Sequence, residues 1–140
     1  MSKFFPILFL LICFLSTGGC ARVSETAKIV WGSSTRALEE ARTDAKTKTY
    51  SCTFSQCFDQ VLKIATEEKY TVFIQDRVHG RVVVMGVRGN LNTTEVGIFF
   101  DELDESRVKI DVTSLSTTAK IKVAEALFTA LSKELKETVS

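Results

Sequence analysis

Cysteines, one histidine and a run of carboxylates are the side chains in this 140-residue chain whose types and spacing could do chemistry. Cys52 and Cys57 frame a C-x4-C spacing. That gap is wider than the C-x-x-C of a redox dithiol at a helix N-terminus, and no second ligand pair accompanies it as a zinc site would require. Two readings stay open. A strand end at Cys52 and a first helical turn at Cys57 can bring the two Cα atoms within the roughly 4.4 to 6.8 Å of a disulfide. Alternatively, both are free thiols packed as small apolar side chains. His79, the only histidine, sits in a turn near Asp76 with no nucleophile at helix or strand spacing, so it reads as a solvated turn residue rather than a general base. Asp101, Glu102, Asp104 and Glu105 lack the alternation and the glycine of a calcium loop and read as a charged turn between strands. The segment GVRGN lacks the lysine and the following helix of a phosphate loop. These readings point away from an enzyme, a bound metal and a cofactor.

Cys13 and Cys20 lie in a different setting. Residues 4–15 read FFPILFLLICFL, an apolar run behind a single cation, Lys3. A transmembrane helix needs about 20 apolar residues, so the run fits the hydrophobic core of an export signal. Cys13, inside it, is a small hydrophobe. Small residues then lead into a cysteine, Ser16-Thr17-Gly18-Gly19-Cys20. This looks like a bacterial lipobox, with Thr17 where a leucine is usual, which implies cleavage after residue 19 and acylation of Cys20. Ordinary signal cleavage near Gly19 or Ala21 and an uncleaved anchor are the alternatives. By resemblance to sorted lipoproteins, Ala21 after the cysteine implies the periplasmic face of the outer membrane. Each buried CH₂ of an acyl chain contributes about 0.8 kcal/mol, so several chains hold a protein on a bilayer where one does not.

The whole chain carries 18 Lys and Arg against 17 Asp and Glu, a formal +1. Lys3 is the only charged residue before Cys20, so the chain from Cys20 onward is neutral. A neutral body has no basic field for nucleic acid and no charge-based pull toward anionic lipid. Membrane association is expected to rest on the lipid anchor alone. The mean hydropathy of +0.12 is high for a chain with 25% charged residues, and the signal run accounts for much of the excess.

The elements that must position any site follow from periodicity. Residues 20–46 read as a lipidated tether and a peripheral N-terminal helix. Ser34 or Thr35 caps that helix, and its apolar content is only Ala37, Leu38, Ala41 and Ala45. Trp31 reads as an anchor onto the body or a residue at the membrane interface. The globular domain, residues 47–140, opens with a short strand over 48–52. Thr53 and Gln56 form a capping box, and the helix behind them, to about Lys69, places Phe54, Phe58, Val61 and Ala65 on one stripe. Strands are expected over 70–75, 81–87, 94–100 and 107–113. In the last of these Val108, Ile110 and Val112 face in, while Arg107, Lys109 and Asp111 face water. A closing helix to about Lys136, capped by Ser116, Thr117 or Thr118, presents Ile121, Ala124, Phe128, Leu131 and Leu135 to the sheet, with Lys120 on its outer side. The order β-α-β-β-β-β-α predicts an α+β two-layer sandwich: an antiparallel sheet of four to five strands with two helices on one face.

That plan, together with STGGC, the segment CFDQVLKIATEEKYTVFIQDRVHGRVVV and the later TEVGIFF, resembles a family of small uncharacterised bacterial envelope lipoproteins. The body is similar in plan to the helix-grip domains of the BamC lipoprotein of the outer-membrane assembly machinery. The likeness is one of architecture and implies a fold and an address, not a task.

The preferred expectation is a non-catalytic lipoprotein that docks an envelope protein through its exposed sheet face, an edge strand, or a rim of Arg77, Arg81 and Arg88. Phe73, Val83, Met85 and Phe99 would form an apolar patch on the face opposite the helices, if Val72, Ile74, Val82, Val84, Ile98 and Phe100 take the inner one. Whether the N-terminal helix covers that patch stays open. The alternative is a small-molecule binder or enzyme with a cavity between the sheet, Phe58 and Phe128. Cys20→Ala is expected to release the protein from membranes into the soluble periplasmic fraction, and unchanged sedimentation with membranes would defeat the lipid-anchor reading.

Overall fold

The computed structural model describes residues 34–137, so the run 4–15, Cys13, Cys20 and Trp31 lie outside the described residues. The chain from Arg36 onward forms one compact unit. Helix α1 (residues 34–40) continues into a 3-10 turn, Ala41–Asp44. Then come β1 (Lys46–Ser51), α2 (Phe54–Glu67), β2 (Thr71–Asp76), β3 (Arg81–Met85), β4 (Val96–Asp104), β5 (Arg107–Thr113), α3 (Thr117–Glu134) and a two-residue β6 (Lys136–Glu137). All strands form one antiparallel sheet in the order β2-β3-β4-β5-β1-β6. Two long helices on one face complete an α+β sandwich.

The helix boundaries have local causes. Thr53 Oγ1 accepts from the Gln56 amide at 3.2 Å, and the Gln56 side chain accepts from the Thr53 amide at 3.1 Å, which closes the capping box of α2. The helix stops at Glu67, two residues before the position expected from periodicity, because Lys69 takes a left-handed φ of 61° and the Tyr70 amide turns back to the Ala65 carbonyl. Of the three candidate caps for α3, Ser116 does the work, accepting from the Ala119 amide at 3.3 Å.

Two expectations about the sheet and one about α3 require correction. First, the acidic segment 101–104 is strand, not turn: β4 runs through it, leaving only Glu105 and Ser106 as the turn. Opposite charges across the ladder stabilise this extension, with Asp101 2.9 Å from Lys109 and Asp104 2.6 Å from Arg107. Second, Ile74 faces away from the helices. The β2–β3 register shifts between Val72 and Ile74, and a bulge of one residue sends every following side chain to the other face. Third, α3 is rotated from its expected setting: Lys120 is 4% exposed and Ile121 is 38% exposed. Its inner stripe is Ala119, Val123, Ala124, Leu127, Phe128 and Leu131. Lys120 tolerates burial because its ammonium donates to the Asp44 carbonyl at 2.7 Å and pairs with the Asp44 carboxylate.

Between helices and sheet, Phe54, Phe58 and Phe100 form a ring cluster with centroids 5.1 to 6.0 Å apart. On the other face Leu38, Val83 and Phe99 form a second, smaller core with Ile74 against it. Gly80 joins the two strands beneath the ring cluster. Its carbonyl accepts from the Phe100 amide at 2.8 Å, its φ is +62°, and a Cβ there would lie 2.8 Å from the Phe100 oxygen. Gly80→Ala should therefore lower unfolding free energy by about 1–3 kcal/mol. At Gly86, where φ is +76° but the nearest atom is 3.5 Å away, the same change should cost about 1 kcal/mol from backbone strain alone. Urea unfolding of both variants checks this, and equal losses would show that the close approach at Gly80 contributes nothing.

Candidate functional site

The expected docking patch is closed. Val83 is 0% and Phe99 3% exposed, because Leu38 of α1 lies over them. Met85 is half-buried and Phe73 is exposed beside the bulge, so what is left of the four residues is a fragment rather than a surface. The arginine rim is also dispersed. Arg77 stacks on the Phe58 ring at 4.5 Å and reaches Asp59 at 2.5 Å. Arg81 donates to Asp76 at 3.1 Å, and Asp76 also lies 2.8 Å from His79 Nδ1. Arg88 is exposed, and its carbonyl accepts from Lys122 at 2.8 Å. Cys52 and Cys57 form a disulfide with Cα atoms 5.9 Å apart, which ties the end of β1 to the first turn of α2.

Cover by the N-terminal helix, left open by the sequence, is the outcome, but the charged contacts that fasten it were not foreseen. Arg42, in the 3-10 turn, donates through Nη2 to Asp101 at 2.5 Å and to Asp111 at 2.7 Å, and its guanidinium lies 4.9 Å from the Phe99 centroid. Thr47 donates to the other Asp111 oxygen at 2.8 Å. Asp111, expected to face water, is thus only 5% exposed. Burial alone would raise the Asp101 pKa, yet Lys109 and Arg42 outweigh it and hold that carboxyl below its ordinary value. Asp44 is likewise lowered, by the hydrogen bond and charge of Lys120. Together these groups fasten residues 36–45 onto the strands.

One accessible feature among the described residues is a groove of about 820 Å³ between β1 and α3. Lys46, Thr47 and Lys48 form one wall, while Ile121, Ala124, Glu125, Phe128, Thr129 and Ser132 supply the floor and the other wall. Its origin is the change of residue type along β1. Tyr50 faces the helices and is fully buried, but two residues back on the same face stands Lys48, whose ammonium lies 5.8 Å from the Phe128 centroid. The core layer therefore stops at Phe128 and opens outward. Phe58, expected to line a cavity with Phe128, is fully buried in the ring cluster and takes no part in the groove. The one sequence-level sign of this site is the weak apolar pattern of KTKTYS.

Beside the groove runs a strand edge. One side of β1 pairs with β5 along its whole length, from Lys46 opposite Val112 to Ser51 opposite Arg107. The other pairs with β6 only at Tyr50 and Ser51. Among the described residues, no strand covers Lys46–Thr49 on that side. Among the described residues, no helix is long and apolar enough to cross a membrane. Compared with known proteins, the chain matches no family model and has no significant match among curated sequences.

The fastening of the outer face has a pH signature. A carboxyl whose folded pKa lies below its unfolded value, ordinarily about 4, stabilises the fold above that value and loses this contribution as pH falls through the folded pKa. Lowered carboxyls at Asp44, Asp76, Asp101 and Asp104 therefore predict acid destabilisation below about pH 4. Arg42→Met should lower stability at pH 7 by about 1–3 kcal/mol, because Asp111 stays buried while losing its closest cation. It should also flatten the acid dependence. Urea midpoints at pH 7 and pH 3.5 check both effects, and a variant as stable as the parent at pH 7 would show the clamp to be ornamental.

Proposed function

We propose that the chain is a non-catalytic lipoprotein of the bacterial cell envelope. In this reading Cys20 carries the lipid and the periplasmic face of the outer membrane is the address. The body from Arg36 onward serves as a protein-interaction module, related in plan to the helix-grip domains of envelope lipoproteins. The observation that carries the interaction reading is the groove between β1 and α3, whose floor includes Ile121, Ala124 and Phe128. The export-signal run and the small residues before Cys20 support the address.

A small-molecule reading draws on the same groove, whose volume falls within the range of roughly 300–1,000 Å³ usual for ligand pockets. It is the weaker of the two, because the groove lies between β1 and α3 at the sheet's margin and not within the core.

A photo-crosslinking side chain placed at Thr129, in the groove, should give discrete adducts with an envelope protein in whole cells. The same group at Lys63, on the exposed side of α2, should not. Equal labelling from both positions, or no envelope adduct from Thr129, would overturn the module reading.

A further inference from the structure

We propose that two loops at one end of the sheet, tipped by Leu91 and Leu115, rest in the headgroup layer of the bilayer to which Cys20 is anchored. This rests on the lipoprotein reading above and adds a second membrane contact, one that fixes how the body stands on its membrane. Leu91 is 78% and Leu115 77% exposed. Register places them together: β3 ends beside the start of β4, with Val84 opposite Val96, and β5 ends opposite that same start, with Thr113 opposite Gly97. The two connections are also joined. Ser116 Oγ donates to Asn90 Oδ1 at 3.3 Å, which links the residues next to the two leucines. Further hydrogen bonds shape both tips, from the Thr94 amide to the Leu91 carbonyl at 2.9 Å and from Ser114 Oγ to the Glu95 carbonyl at 2.6 Å.

Charge around the leucines suits a lipid surface. Residues 86–94 carry one charged side chain, Arg88, and residues 114–118 carry none. Exposed Asn92, Thr93, Thr117 and Thr118 instead offer amide and hydroxyl donors to the phosphate and ester oxygens of lipids. The adjoining hollow sets Lys69, Arg88 and Lys122 against Glu67, Glu68 and Glu125, so it adds no net charge. At the other end of the sheet Val78 and Leu103 are exposed as well, but Glu102, Asp104 and Glu105 stand there in exposed positions. Such carboxylates are repelled by anionic lipid and lose hydration in the interface.

The route of the chain decides for lipid over a protein partner. Thr113 Oγ1 donates to the Leu38 carbonyl at 3.2 Å, two residues before Leu115, so the body's N-terminal segment meets the sheet at this same end. Cys20 stands sixteen residues before Arg36, a length of chain that spans at most about 55 Å. An acyl anchor within that reach keeps the loops at high local concentration beside the bilayer. Retention rests on the acyl chains, and the two leucines need only orient a body already held.

The test uses the full lipidated protein, purified in detergent and reconstituted into vesicles of phosphatidylethanolamine with phosphatidylglycerol. In a Trp31→Phe background, which removes the only tryptophan, Leu91→Trp and Leu115→Trp should each be quenched about twofold by brominated acyl chains, because interfacial side chains reach about 5–10 Å into that boundary. Val78→Trp and Leu103→Trp, at the other end, should not be quenched. Amide exchange at residues 91–93 should be about tenfold slower on vesicles than in the Cys20→Ala chain in buffer. Leu91→Ser/Leu115→Ser should lose that protection while still sedimenting with the vesicles and keeping its circular dichroism. Equal quenching at both ends overturns the proposal, since the body would then have no preferred face. So does absence of quenching at positions 91 and 115 in protein that sediments with the vesicles, an outcome that leaves the lipid-anchor reading standing. Crosslinking of Leu91 to an envelope protein in cells, without quenching by lipid, would assign the leucines to a protein partner and overturn the membrane contact. Protein that carries no acyl mass on Cys20 would take down the anchor reading and this proposal with it.

Discussion

One guanidinium holds the outer face of the sheet shut. The central strands β3 and β4 carry large apolar side chains on both faces, and two helices can cover only one of them. The other face falls to residues 36–45, a segment with a single large apolar side chain, Leu38, that reaches it. Burial of one leucine contributes about 1.5–3 kcal/mol, little against the cost of ordering ten residues. Arg42 adds to it by joining Asp101 of β4 to Asp111 of β5 while lying against the Phe99 ring. Lys120 fixes the far end of the segment through Asp44. Two charged contacts thus let a weakly apolar segment act as a third layer over part of the sheet.

Closing that face leaves accessible apolar surface at the sheet's margin. Once Val83 and Phe99 are covered, the apolar surface that extends beyond the core is the floor of the groove, where Phe128 and Ile121 continue past the last inward aromatic of β1. The same strand serves both sides. Thr47 points outward and completes the hydrogen bonding of Asp111, while Lys46 and Lys48 line the groove on the side of α3. The disulfide from Cys52 to Cys57 holds the far end of β1 against α2, at the same end where β6 pairs.

Much of this architecture is legible in the sequence where one rule acts alone. The clean alternation of RVKIDVT gives β5 with its bounds, and Thr53 with Gln56 announces the start of α2. Legibility fails where a tertiary partner overrides a local signal. Asp111 and Lys120 read as solvent-facing because the partners that let them be buried lie 69 and 76 residues away, both in the short 3-10 turn. The bulge at Phe73 is silent because YTVFIQ is apolar on both phases, so a slip of one residue offends no pattern. The groove was hidden for a related reason: KTKTYS looks like a poor strand, and only the closed sheet reveals that its polar half is an edge.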